Sequence, residues 1–200
     1  MLISSFELLL KPQFSKGVVD PKSPISNLSR TVIQAYFLTI SNVNTFDVTV
    51  ALEFTIRFPI DSVKELPTSF KDLIDAVDIT GTNLIPPKGN DPLVPELVNN
   101  NKARLTFTIP SNATSLLVLQ PDFINNLNLL QDANFEARGY AEISIISLSG
   151  SETATLLVTP QLRGTFFKDL NAKDFPDFGL DQIAYDLPVK NGGVFEFSNS

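Results

Sequence analysis

Phe46-Asp-Val-Thr-Val-Ala-Leu-Glu-Phe-Thr-Ile-Arg-Phe58 sets an apolar residue at every second position, with polar residues and Ala51 between. Successive side chains of a strand point to opposite faces, so this stretch has one apolar face and one mostly wet face. That is the pattern of an antiparallel strand buried on one side. Fully extended it runs about 43 Å at ~3.3 Å per residue, and a bend or bulge is expected near Ala51.

Working outward, Arg30 to Ile40 is rich in β-branched and aromatic residues, and Ser41-Asn-Val-Asn-Thr45 supplies turn residues before the next run. The two runs read as a long hairpin. A second hairpin is expected from Phe135 to Leu148, through Ser149-Gly150-Ser151, to Thr153–Thr159, with Pro160 ending the strand. Further strands are expected at 3–10, 103–109, 115–119, 162–167, 183–187 and 194–197. Helices are expected at 68–77, after Pro67, and at 122–130, after Pro121. The whole reads as an all-β chain, 1–200 as one domain: an antiparallel β-sandwich, immunoglobulin-like or jelly-roll-like, with one or two short capping helices. The Cys, Trp, Cys core of antibody-type domains has no counterpart, since the chain has neither residue type.

Composition bounds the partners. The chain has 15 Lys and Arg against 22 Asp and Glu, a net charge of −7, which repels phosphate backbones and anionic membrane surfaces. No apolar run reaches the ~20 residues of a membrane-spanning helix. The first residues lack a basic region ahead of their apolar run, so the expected location is cytoplasmic.

The 200 residues include no His and no Cys. This removes Ser-His-Asp and Cys-His hydrolysis and the usual zinc ligand sets. Glycine-rich phosphate loops are missing too, and no cofactor is implied. A carboxylate pair is the remaining catalytic route. Glu136 and Glu142 share a strand face but stand about 20 Å apart if the strand is straight, with Glu53 able to approach either. The acidic run Asp169–Asp181 opens like a calcium loop. It then departs, with Lys173 at a ligand position, Asp174 at the turn glycine and Leu180 at the bidentate acid. Asn27-Leu-Ser29 and Asn112-Ala-Thr114 match the glycosylation acceptor pattern by composition alone.

Three long stretches, 11–27, 81–101 and 168–182, read as irregular, and loops beyond ~12 to 15 residues tend to carry function. Phe175 and Phe178 in one, with Leu93 and Val94 in another, are the candidate partner-binding residues. The expectation is a noncatalytic structural or protein-interaction module, bound to a protein partner or to copies of itself. The alternative is a binder of a small apolar ligand or glycan at the loop end of the sandwich, and the third reading is a carboxylate-only hydrolase.

Overall fold

The computed structural model describes residues 1–14, 22, 30–57, 74–78, 95–123, 127–149, 153–168 and 179–198. These form eleven strands: β1 (Leu2–Pro12), β2 (Thr31–Asn42), β3 (Val48–Arg57), β4 (Ile74–Asp78), β5 (Glu96–Asn99), β6 (Lys102–Ile109), β7 (Thr114–Pro121), β8 (Phe135–Leu148), β9 (Thr153–Phe167), β10 (Asp181–Asp186) and β11 (Val194–Ser198). One short helix, α1 (Leu127–Asp132), and a 3-10 turn at Lys190–Gly193 complete the described elements. The chain is all-β, and every pairing of these strands is antiparallel.

The strands join in the order β10-β9-β2-β1-β8-β3-β6-β5, with β11 also on β9, and β7 on β2 carrying β4. β1 couples two flanks. Its residues Leu2 to Leu10 pair with β8, while Leu9 to Pro12 pair with Gln34 to Thr31 of β2. Beyond that point β2 exchanges β1 for β7, from Tyr36 to Ser41.

The alternating stretch forms β3 as expected: Val48, Val50, Leu52, Phe54 and Ile56 are all buried. The bulge falls between Thr49 and Val50 in the register with β8, next to Ala51. Side chains from both flanks enter one apolar cluster. Phe6, Tyr36 and Phe54 meet there with ring centroids 5.1, 6.2 and 6.4 Å apart, so β1, β2 and β3 share a centre although β2 and β3 never pair. The Tyr36 hydroxyl, fully buried, finds the Ser4 hydroxyl at 2.9 Å.

Neither expected hairpin forms. β2 pairs with β1, β7 and β9, whereas β3 pairs with β6 and β8. Asn42 and Asn44 are the physical reason. The buried Asn42 amide donates to the carbonyls of Phe46, Ile109 and Pro110 at 2.9, 2.9 and 3.0 Å. Asn44 donates to the Thr155 carbonyl at 2.8 Å and accepts from the Thr155 N–H at 3.1 Å. These side chains take up main-chain groups of other strands, so the connection arches from one flank to the other instead of folding back. β8 and β9 are likewise separated: Ser149, at the end of β8, donates its hydroxyl to the Asp47 carbonyl at 2.8 Å, and β9 lies on β2.

Three further expectations are corrected. Residues 74–77, read as the end of a helix, lie in β4 on the edge of β7; the rest of that expected helix, 68–73, lies outside the described residues. Pro160 does not end its strand, since β9 runs through it to Phe167 and so absorbs the separate strand expected at 162–167. The carbonyl of Pro160 accepts from the Leu187 N–H at 2.9 Å, so its nitrogen faces the same side, the gap on β9 between the ends of β10 and β11. A missing N–H costs little there. The second expected helix is shortened to α1, which begins at Leu127.

Candidate functional site

The outer face of the β2 flank carries the candidate site. Strand parity puts Ile33, Ala35 and Phe37 of β2 beside Thr165, Arg163 and Gln161 of β9, and Gln182, Ala184 and Asp186 of β10 beside the same three. The opposite face of β2, with Tyr36, Leu38 and Ile40, is in the core, and on the groove side Ile33 and Phe123 pack against the margin of the same cluster. Because β2 is apolar on both faces, its side chains on this face floor a groove of about 500 Å³ that Phe123 and Phe167 also line.

Arg163 stands in this groove. Its guanidinium carbon lies 4.3 Å from the centre of the Phe37 ring, a cation-π contact. Nε and Nη2 both donate to Gln161 Oε1, at 3.1 and 2.7 Å, and Gln161 Nε2 donates to Asp186 Oδ1 at 2.7 Å. A neutral amide thus stands between the cation and Asp186, and among the described residues lining the groove none is acidic.

β10 borders the groove. All six of its residues, Asp181-Gln-Ile-Ala-Tyr-Asp186, are exposed, and among the described strands β10 pairs with β9 alone. Its free side can be assigned. The Leu187 N–H points at β9, and in an antiparallel strand every second residue shares that direction. Tyr185, Ile183 and Asp181 therefore bond to β9, while the N–H and C=O of Gln182, Ala184 and Asp186 point away from it. Ile183 and Tyr185 are 47% and 43% exposed, a high value for apolar side chains on the core-facing parity of a strand. Burial first, and then the charge of Glu7, raise the Tyr185 phenol above its ordinary pKa. Arg30 pairs with Asp181 at the start of the strand.

The other flank presents charges. Glu53 sits directly opposite Glu142 in the β3–β8 register, so the sheet brings together a carboxylate pair on adjacent strands. Lys102 and Arg104 both bind Glu53, the latter through Nε at 2.8 Å, and these hydrogen bonds hold its carboxyl below the usual range. Glu53 is thereby kept as an anion, unlike the proton-holding acid that glycoside hydrolysis requires. Glu136 is tied separately to Lys11 and Arg138, and Arg138 Nε reaches Glu7 at 2.7 Å.

Phe175, Phe178, Leu93 and Val94 lie outside the described residues, as does most of the acidic run 169–178. Asp181, at the end of that run, is engaged by Arg30, and no group of three metal-binding side chains occurs among the described residues. Near them in sequence, Phe167 lines the groove and Leu97 and Val98 are exposed on β5. Arg163, Phe37 and Gln161 escaped sequence reasoning. The signal available was the double-sided apolar character of 31–42, which an antiparallel strand with one wet face does not need.

The class defined at this point is an antiparallel all-β chain that, among the described residues, has an edge strand paired on one side beside an apolar groove lined by one cation. No protein-family model, curated protein or solved structure matches it. No helix among the described residues is long and apolar enough to cross a membrane.

Proposed function

We propose that this chain is a noncatalytic interaction module, a β-sandwich whose two flanks are its layers, and that it assembles with a second copy of itself by strand addition at β10. The observation that carries this reading is the outward-facing main chain of Gln182, Ala184 and Asp186 on a strand exposed along its whole length. Such a row of donors and acceptors, unpaired by any other described strand, is a template for another strand.

Side-chain parity favours a copy of the same chain. Antiparallel pairing across a two-fold axis requires residues of like parity to face each other. An axis at Ala184 sets Ala184 against itself, Ile183 against Tyr185 of the second copy, and Gln182 against Asp186 of the second copy. The first contact is mutual small-residue packing, the second an aromatic–β-branched pair repeated twice, and the third a donor facing a carboxylate. No two carboxylates oppose each other.

The test uses mass and cross-linking together. Sedimentation across a dilution series is expected to show a monomer–dimer equilibrium. Ala184→Pro removes an N–H that faces away from β9, so it should abolish the dimer while the fold survives. Because the chain has no cysteine, Ala184→Cys places a single thiol opposite its counterpart at a Cα separation of about 5.5 Å, within disulfide reach. It should oxidise to a covalent dimer, whereas Glu196→Cys on β11 should not. A strict monomer at every concentration would overturn self-assembly.

A further inference from the structure

We infer that the groove on the outer face of β2, β9 and β10 is a binding site for a small amphiphilic monoanion, an apolar body bearing one carboxylate. It is a different surface property from the edge, and it stands on four observations. The floor is apolar, from Ile33, Ala35 and Phe37, and Phe123 and Phe167 also line it. The volume, about 500 Å³, falls in the range of ~300 to 1,000 Å³ usual for small-molecule sites. Arg163 is the one charged residue among the described lining residues, in a chain whose net charge is −7. Its direct partners among the described residues are neutral, Gln161 and the Phe37 ring.

The geometry gives the arginine a fixed aim. The contact with the Phe37 ring and the two hydrogen bonds to Gln161 Oε1 together hold the guanidinium in place. Nε and Nη2 are used on the glutamine, and among the described residues Nη1 is left to donate to a carboxylate. Thr165, Gln120 and Gln182 supply hydroxyl and amide groups around the groove. The apolar floor takes the body of the ligand, and the cation orients its head. A cation is attracted to an aromatic face and to a carboxylate at once, so ligand binding does not require the Phe37 contact to break. A neutral apolar ligand would use the floor and leave the charge without gain.

The probe is anilinonaphthalene sulfonate, an aromatic monoanion that fluoresces when it leaves water. It is titrated into the full chain and displaced with decanoate or, separately, with decanol, which has the same body without the charge. Decanoate is expected to displace the probe at a concentration at least about tenfold lower than decanol, the advantage of one charge-assisted hydrogen bond. Arg163→Gln should erase that advantage. Amide shifts induced by decanoate in a nitrogen–proton correlation spectrum locate the site independently of any variant, and they should concentrate at residues 33–37 and 161–165. Equal displacement by the two ligands, an undiminished advantage in Arg163→Gln, absence of probe binding, or shifts centred elsewhere would each overturn the assignment.

Discussion

Replacing Asn42 with alanine tests the arch that carries the chain between the flanks. Asn42 is 1% exposed, and its side chain donates to the carbonyls of Phe46, Ile109 and Pro110. Its Oδ1 accepts from the Asn44 N–H at 3.0 Å and from Asn44 Nδ2 at 2.7 Å. Truncation removes all five contacts, and of these groups Asn44 Nδ2 keeps the Thr155 carbonyl. At a net ~0.5 to 1.5 kcal/mol per bond, with a larger penalty for the deeply placed Ile109 carbonyl, the loss sums to about 3 to 4 kcal/mol. For a chain of this length, with ~2 to 4 °C per kcal/mol, that is a fall in Tm of about 6 to 16 °C. Urea unfolding followed by circular dichroism measures the first quantity and a thermal scan the second. Asn42→Asp keeps the acceptor and loses the donors, setting a carboxylate against three carbonyls, so at neutral pH it should be no more stable than Asn42→Ala. A loss below about 1 kcal/mol in Asn42→Ala would refute the argument that this amide holds the connection.

Three other outcomes follow from the same structure. In Gly139→Ala, the new Cβ would collide with the Thr55 carbonyl oxygen on β3 and stand 2.8 Å from Phe6 Cζ, so unfolding should show a loss of about 3 kcal/mol, at the upper end of overpacking costs. Glu53→Gln should destabilise the chain near neutral pH. Because the folded carboxyl titrates below its unfolded value, the difference from the parent should shrink as pH falls through that folded value, which urea titrations at several acidic pH values will read. Tyr36 has the opposite sign: burial raises its phenol well above the ordinary 10, so its contribution is intact below pH 10 and is lost as pH climbs beyond it. Tyr36→Phe should therefore flatten the alkaline limb of the stability profile, and an unchanged limb would contradict a buried neutral phenol.

Local periodicity made most strands legible and left their partners hidden. The alternation from Val48 to Ile56 specifies an apolar face without reference to any neighbour, which is why β3 and its bulge were readable. Pairing was another matter. Asn42 and Asn44 look like turn formers, and nothing local distinguishes a hairpin turn from an arch whose amides bind β9 and the β6–β7 turn. Pro160 reads as a strand end because its N–H is missing, yet its position beside the gap between β10 and β11 makes that absence cheap. At 74–77, Ile-Asp-Ala-Val fits a helix turn as well as a strand, and pairing with β7 decides it. The groove was hidden for the same reason as the pairings. Phe37 and Arg163 are 126 positions apart by their numbers, and only the β2–β9 register sets them side by side. The candidate pairs Phe175 with Phe178, and Leu93 with Val94, lie outside the described residues.

Amide hydrogen exchange along β10, read residue by residue on dilute and concentrated samples, bears most directly on the edge as the assembly surface. The amides of Ile183 and Tyr185, bonded to β9, should be protected at every concentration, while those of Gln182, Ala184 and Asp186 should exchange fast in dilute solution and slow as the chain associates. Protection of those three in the dilute monomer would contradict an open edge; fast exchange at all concentrations would leave the edge open but exclude a second copy as its occupant.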